Sequence, residues 1–366
     1  MIPKVIAFYL PQYHPTPSNN EWWGNGFTEW TNVSKARPLY RGHYQPKIPA
    51  DLGFYDLRYP EIRQKQAELA KEAGITGFCY YHYWFGNGHE ELDYPFKEVV
   101  RLKEPDFPFC LCWANETWYK KFWNSDGNVQ EKKTLAEQLY PGKEDTISHF
   151  YTLLEAFKDK RYIRVDGKLL FVIYKPLDFP CVKEFMGLWN ELAKKEGLDG
   201  FHFVAYSLHA NIEYQNLKSM NFDAVCSCRL GYGNQTRMMA AIKKTINIIW
   251  GIPRIFSYRK MIKHLVSDFE QVHDDVYPTL IPNWDHTPRS TKYGYVYHGA
   301  CPDLFEKHAV DVLNHIKDKN EKNQICFLKS WNEWGEGNYM EPDLKYGKGW
   351  IKALRSAIDV VFEKKM

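Results

Sequence analysis

Eight near-continuous apolar runs punctuate the chain. They are Val5 to Leu10, Gly77 to Tyr83, Phe107 to Trp113, Leu169 to Tyr174, His202 to Tyr206, Ala224 to Cys228, Tyr277 to Pro282 and Ile325 to Trp331. They do not alternate apolar with polar residues, which predicts parallel strands covered on both faces. Helical periods fill the gaps. Tyr59 to Ala73 stops at Gly74, Thr146 to Lys158 is amphipathic, Val182 to Glu196 stops at Gly197, and Leu304 to Lys319 precedes the last run. Strands alternating with helices through eight such runs predict an α/β fold, a (β/α)8 TIM barrel. No internal repeat or low-complexity linker is evident, so residues 1–366 are expected to form one barrel. Three stretches exceed ordinary loop length, Pro15 to Leu57, Gly86 to Tyr94 and Gly231 to Asp268, and are expected as insertions at its C-terminal face.

Polar and aromatic residues collect where the runs end. In a barrel those ends converge on one mouth. The first run leads into Tyr9, Gln12, Tyr13 and His14, and the second ends on Tyr81, His82 and Trp84. The third leads into Trp113, Asn115, Glu116 and Trp118, the fourth into Tyr174 and the fifth into His209. The seventh leads into Trp284 and Asp285, and the eighth into Trp331 and Asn332. With Trp30 from the first long loop and Glu341 beyond the last strand, these residues are expected to line a substrate cleft. Tyr9 is expected on the pocket floor, and Trp113 and Trp118 as stacking platforms. Glu116 is read as a hydroxyl acceptor or a salt-bridged rim residue. His82 is read as a substrate contact or a satisfied core histidine. Asn332 either meets a sugar hydroxyl or satisfies strand-end backbone. Asp285 beside His286 invites a metal, but hydrogen bonding to substrate or to Arg289 is the favoured reading.

The sharpest chemical signal follows the last run: Trp331-Asn332-Glu333-Trp334-Gly335-Glu336-Gly337. Two carboxylates three residues apart sit among aromatic rings, and aromatic residues make up 16% of the whole chain. Glycoside chemistry uses such a pair, one carboxyl protonating a leaving oxygen while the other acts at carbon, with rings stacking on sugar faces. Residues three apart face opposite ways on a strand and share a face on a helical turn. Glu333 and Glu336 can therefore act together only if the strand ends by about Trp331 and the chain bends, which Gly335 and Gly337 permit.

Tyr9-Leu10-Pro11-Gln12-Tyr13-His14-Pro15, Trp22-Trp23-Gly24, Phe27-Thr28-Glu29-Trp30, Tyr80-Tyr81-His82-Tyr83-Trp84-Phe85, Trp113-Ala114-Asn115-Glu116 and the Trp331 to Gly337 stretch resemble the WbsX family, in order and over almost the whole chain. That family occurs in bacterial O-antigen and capsule biosynthesis clusters and is related to the endo-α-mannosidases of glycoside hydrolase family 99, which are (β/α)8 barrels. The resemblance implies a carbohydrate-active enzyme of surface-polysaccharide metabolism. By the same resemblance Glu333 takes the proton from a sugar 2-hydroxyl, whose oxygen attacks the anomeric carbon. Glu336 then serves as acid on the leaving oxygen and as base on the incoming water. The mannosidases' early loops differ from the Pro11 to Trp30 stretch, so the sugar does not carry over.

Other features narrow the setting. A net charge of +3 implies no nucleic acid partner. Cys110 with Cys112, and Cys226 with Cys228, are spaced two apart inside apolar runs and are expected as reduced, buried thiols rather than metal ligands. No cofactor or metal is expected. Met1 to Lys4 leads straight into the first run, and no apolar stretch approaches the ~20 residues of a membrane span, so a cytoplasmic location is expected. Arg237 to His264 carries seven Lys and Arg and no acidic residue, interleaved with Ile, Trp and Phe. It is read either as peripheral contact with the anionic inner membrane face, where lipid-linked glycans are built, or as an outer helix with a solvated basic face. The expected partner is an oligosaccharide or lipid-linked glycan. Two alternatives stand beside glycoside cleavage. One is a glycosyltransferase using a nucleotide sugar, although no DxD signature or Gly-rich phosphate loop is present. The other is a non-catalytic glycan-binding component of the assembly machinery.

Overall fold

The computed structural model describes residues 3–123, 129–231 and 236–363. The eight apolar runs form strands β1 (Lys4–Tyr9), β2 (Gly77–Trp84), β3 (Phe109–Trp113), β4 (Lys168–Ile173), β5 (Phe201–Ser207), β6 (Ala224–Ser227), β7 (Val276–Leu280) and β8 (Ile325–Leu328). Each pairs in parallel with the next, and β8 pairs back onto β1 with Lys4 opposite Ile325, so the sheet closes. Helices α1 (Pro60–Glu72), α2 (Tyr94–Leu102), α3 (Lys143–Thr152), α4 (Val182–Lys195), α5 (Ala210–Ser219), α6 (Asp268–Val272), α7 (Pro302–Ile316) and α8 (Gly349–Ile358) follow the strands in turn. Proline in the first turn starts α1, α2 and α7, where its missing N–H costs nothing. The helix expected over 146–158 is broken at Leu153, with Leu154–Lys158 forming a separate turn.

The strands sort their side chains with a period of two. Phe8 of β1 touches Tyr206 of β5 at 5.8 Å between ring centroids, although those strands are not neighbours, so both rings fill the barrel interior. Tyr81 of β2 stacks on Phe8 at 5.5 Å, and Phe8 stacks on Phe327 of β8 at 5.1 Å. The intervening residues point the other way. Phe171 packs on Trp189 of α4, and Trp113 packs on Phe185 of the same helix. Parity along each strand thus decides whether a residue near its end reaches the mouth or the helix layer. All eight cysteines are free thiols, and Cys110, Cys112, Cys226 and Cys228 are buried.

The long loops leave the C-terminal strand ends. After β1 come helices Pro17–Trp23 and Glu29–Lys35; after β3, strands Trp118–Trp123 and Val129–Ala136 pair antiparallel. After β6 come the helix Arg237–Trp250 and the strand Arg254–Ser257, which pairs with Tyr295–His298 from the loop after β7. Among the described residues no helix is long and apolar enough to cross a membrane.

Candidate active site at the barrel mouth

Regular β8 pairing stops at Leu328, three residues before the expected end, although the N–H groups of Lys329 and Trp331 still donate to Leu280 and Phe8. The Ser330 hydroxyl then accepts from the N–H groups of Asn332 (3.1 Å) and Glu333 (3.0 Å), turning the chain. Asn332–Glu333 pairs antiparallel with Asn338–Tyr339, and Trp334–Glu336 makes one 3-10 turn between them. Gly337 closes the turn at φ 55°, a left-handed conformation that favours glycine. A Cβ there would also lie 2.5 Å from Lys47 Nζ and 2.7 Å from Asp285 Cβ.

The turn brings Glu333 and Glu336 to one guanidinium. Arg289 Nη1 lies 2.6 Å from Glu336 Oε1 and 3.8 Å from Glu333 Oε1, while its Nε donates to Glu29 Oε1 at 2.8 Å. Both carboxylates thus lie within reach of one guanidinium nitrogen. Lys329 Nζ contacts the far oxygen of Glu333 at 3.2 Å, and His286 Nε2 stands 3.6 Å from Glu336 Oε1. Glu29 lies against Gly335, where any Cβ would fall 1.5 Å from its carboxylate oxygen. Only glycine at 335 lets the loop from β1 close over this turn.

Three carboxylates therefore face two strong cations in a buried cluster. Burial, and next the Glu336 charge, push Glu333 above the usual carboxylate range, only partly offset by Lys329 and Arg289. Burial likewise raises Glu29 against the Arg289 charge. Burial opposes the Lys329 ammonium, but Glu333 and Glu336 outweigh it and hold it charged; Glu29, Glu336 and Glu333 do the same for Arg289. The cluster can thus hold and release a proton at the mouth.

Beside it opens a groove of about 630 Å³, lined among others by Gln12, Trp22, Trp23, Glu116, Trp118 and Lys175. Trp22 meets Trp118 edge-on at 5.9 Å, and Lys120 Nζ lies 4.9 Å above the Trp23 ring. Tyr83 joins groove to cluster. Its ring packs on Trp118 at 4.9 Å, and its hydroxyl, raised first by burial, feels Glu333 and Arg289 as well as Glu116. Tyr81 and Tyr174 line the inner mouth, in edge contact at 6.0 Å, and Tyr174 stacks on Tyr206 at 4.6 Å. Asn115 fixes one groove wall, donating to Tyr140 and to the Lys175 carbonyl. Glu116 forms an exposed pair with Lys175 at 3.6 Å.

Other expected site residues are turned elsewhere. Tyr9 points away from the pocket floor and donates to Gln66 of α1 at 2.6 Å. His82 faces the helix layer, its Nε2 2.8 Å from that of His149 in α3. Trp84 donates to Asp145, and Trp113 donates to the Trp84 carbonyl, so Trp113 is no stacking platform at the mouth. Trp331 is fully buried against Phe78. Asn332 exchanges hydrogen bonds with the Leu10 backbone, satisfying strand-end groups rather than sugar hydroxyls. Tyr13 donates to the Asn332 carbonyl, His14 bonds the Pro11 carbonyl, and Trp30 donates to the Tyr55 carbonyl; all three hold loops. Glu341 is buried below the mouth, accepting from Tyr55, Gln66 and Trp334. Asp285 bonds His43, Gln45 and Thr287, not Arg289; burial opposes its charge, but His43 and Lys47 hold it down at about 2. Trp284 is buried, stacked at 5.9 Å on His286, and His209 stands exposed at the start of α5.

Sequence reasoning does not pick out Arg289, Lys329, Glu29 or Tyr83 as site residues. Lys329 had a local signal, four residues before Glu333. Arg289 and Glu29 meet across 260 positions, a pairing invisible in one sequence.

A family model described as Glycosyltransferase WbsX matches residues 5–354. The protein WxcX of Xanthomonas campestris pv. campestris strain B100, described as uncharacterized, is 33% identical over 358 residues, covering 97% of this chain and 49% of that protein. Its counterpart in strain ATCC 33913 matches to the same extent. The chain thus spans about half the length of the curated relatives it matches. Among solved structures, the GH99 endo-alpha-mannosidase of Bacteroides thetaiotaomicron superposes with a TM-score of 0.59 at 13% identity, over 98% of this chain and 97% of that one. A structure described as a glycoside hydrolase-like protein gives 0.54 at 15% identity, over 98% and 94%. These two likenesses show a shared fold.

Proposed function

The chain belongs to the WbsX family, and from that premise we propose that it is a carbohydrate-active enzyme acting at a glycosidic bond, with Glu333 and Glu336 as its acid/base pair. The observation that carries the reading is the single Arg289 guanidinium holding both carboxylates at the mouth of a (β/α)8 barrel, beside an aromatic groove. The substrate is an oligosaccharide, free or lipid-linked, of bacterial surface polysaccharide, and the setting is the cytoplasm beside the inner membrane face. Trp22 and Trp118 offer ring faces and edges to sugars, while Gln12, Glu116 and Lys175 offer hydrogen bonds to hydroxyls.

Glu333 takes the proton from the sugar 2-hydroxyl as that oxygen attacks the anomeric carbon and the bond to the leaving oxygen breaks. Glu333 returns the proton to the same oxygen when the acceptor opens the anhydro ring. Its raised affinity for protons makes it a stronger base than an ordinary carboxylate. Lys329 and Arg289 fix its two oxygens from opposite sides. Glu336, with 14% of its side chain exposed against 7% for Glu333, is the more accessible partner and delivers a proton to the leaving oxygen. The same carboxyl then takes a proton from the acceptor, water in hydrolysis or a sugar hydroxyl in transfer. The family description favours transfer as the second reading.

Mass-spectrometric product screening decides between these outcomes. Wild type and Glu336→Gln are incubated with α-mannosyl, rhamnosyl and other bacterial-type oligosaccharides, with and without nucleotide sugars. Cleavage by wild type alone, without nucleotide, is the expected result. Products that require a nucleotide sugar move the reading to a transferase. Binding without products in any condition makes the protein a glycan-binding component.

A further inference from the structure

The helix Arg237–Trp250 is built with its polarity reversed. It is well formed: Thr236 Oγ1 accepts from the Met239 N–H at 3.2 Å, and Gly251 ends it in the left-handed conformation at φ 66°. Met238, Ala241, Ile242, Thr245, Ile248 and Ile249 recur at i, i+3, i+4, i+7, i+10 and i+11, the spacing of one helix face. In a surface helix that face packs on the core. Here all six residues are exposed, and Met238, Ile242, Ile248 and Ile249 keep between 42% and 71% of their surface open. The polar side does the packing instead. Lys243 Nζ sits 3.4 Å above the Phe256 ring, and Asn247 Nδ2 donates to the carbonyls of Ile252 and Lys292. Trp250, at the helix end, is 66% exposed.

We infer that this helix is an in-plane anchor for an anionic lipid surface, which it meets with the barrel mouth alongside. Charge identifies the occupant. From Arg237 to Ser267 the chain holds seven Lys and Arg and no Asp or Glu, and Lys244, Arg259, Lys260 and Lys263 are exposed. An apolar stripe bordered by lysine and ending in tryptophan suits the boundary between acyl chains and acidic headgroups. The core of a protein–protein interface, by contrast, is depleted in lysine.

Position gives the surface a use. The helix lies in the insertion that leaves the C-terminal end of β6, and its Asn247 is bonded to Lys292, three residues after Arg289 of the acid/base cluster. Leu208 and Ile212, exposed after the neighbouring β5, extend the apolar rim by one strand. A protein resting on this sector holds its mouth close to the headgroup layer, within reach of a glycan carried on lipid. The geometry and charge stand without the glycoside reading, and the test uses no sugar.

The full chain is sedimented with vesicles of phosphatidylcholine containing about one-third phosphatidylglycerol, and with pure phosphatidylcholine, at low and high salt. Wild type is expected to bind the anionic vesicles at low salt and to lose most of that binding at high salt or on neutral vesicles. Ile242→Asp with Ile249→Asp is expected to lower partitioning at least about tenfold. Lys244→Gln is expected to lower it about fivefold. Because these side chains are exposed, thermal melting should move little. Failure of wild type to bind anionic vesicles at low salt overturns the inference. So does undiminished binding by the double variant. A concentration-dependent oligomer that the double variant renders monomeric also overturns it, assigning the face to a second copy of the chain. Loss of vesicle binding leaves the product screen unaffected, so the two readings fail separately.

Discussion

Two regions of this molecule look alike as sequence and behave oppositely as structure. One is the helix-layer side of β2 and β3, with His82, Trp84 and Trp113; the other is the exit of β8, with Glu333, Trp334 and Glu336. Both crowd aromatic and polar residues at strand ends. In the first, polar handles are spent internally: His82 on His149, Trp84 on Asp145, Trp113 on the Trp84 carbonyl. Burial, with the Lys97 charge adding to it, pushes His82 down to about 3, so it stays neutral. In the second, charge is retained in the interior. Glu29, Glu333 and Glu336 outnumber Arg289 and Lys329, and burial raises Glu333. An aromatic-polar cluster therefore marks a site only where its polar groups keep chemistry left to do.

Substitution separates the two regions most sharply at Glu336. Glu336→Gln keeps shape and removes the proton, so product formation should fall about 10²–10⁴-fold, as for loss of a general acid. Melting temperature should stay within a few degrees. Trp113→Ala should do the reverse. Removing a buried ring from between Phe179, Phe185 and His149 should cost about 3–5 kcal/mol in denaturant unfolding. Activity per folded molecule should stay near wild type. If Trp113→Ala instead abolishes activity at full stability, the two regions are not distinct.

Glu341 sharpens the comparison with pH, because it is a buried carboxyl in neither group. Tyr55, Gln66 and Trp334 favour its ionised form, but burial outweighs them and pushes it up to about 7. The folded protein then binds this proton more tightly than the unfolded chain, whose carboxyl titrates near 4.5. Its contribution is complete below that pH and is lost as pH rises through about 7. At most about 3 kcal/mol is involved. Urea midpoints at pH 5 and 8 should differ more for wild type than for Glu341→Gln. Equal differences would show that the buried carboxyl titrates normally.

The sequence reveals these regions unequally, for physical reasons. All eight strands are legible because parallel strands buried on both faces read as unbroken apolar runs. That same continuity hides which face each residue takes. Tyr9, Trp84 and Trp113 thus read as mouth residues, although parity turns them into the helix layer. The bend at Glu333 to Gly337 is legible because two glycines flank a carboxylate. Gly335 has a further reason, the approach of Glu29, that only the folded chain displays. Arg289 stays hidden because its partners come from β1 and β8 loops far away in sequence. The reversed helix at 237–250 is legible in composition, but its direction of exposure is not, since periodicity is blind to which face packs inward.

The smallest expected effect tests whether the groove beside the cluster belongs with it. Trp118 is half-buried, held by Trp22, Tyr83 and Phe85 at 4.9 to 5.9 Å, and one side of it lines the groove. Stacking of this kind contributes about 0.5–1.5 kcal/mol. Trp118→Ala should therefore raise KM for a long oligosaccharide about three- to tenfold and leave kcat within about twofold, the pattern of lost uniform binding. A short substrate that fills only the acid/base end should show no change. Glu72→Gln, which breaks an exposed pair with Lys348 away from the groove, sets the floor for a surface residue with no role in binding. If Trp118→Ala matches that floor on every substrate, the groove is a surface feature, and the glycan approaches Glu333 and Glu336 from another side of the mouth.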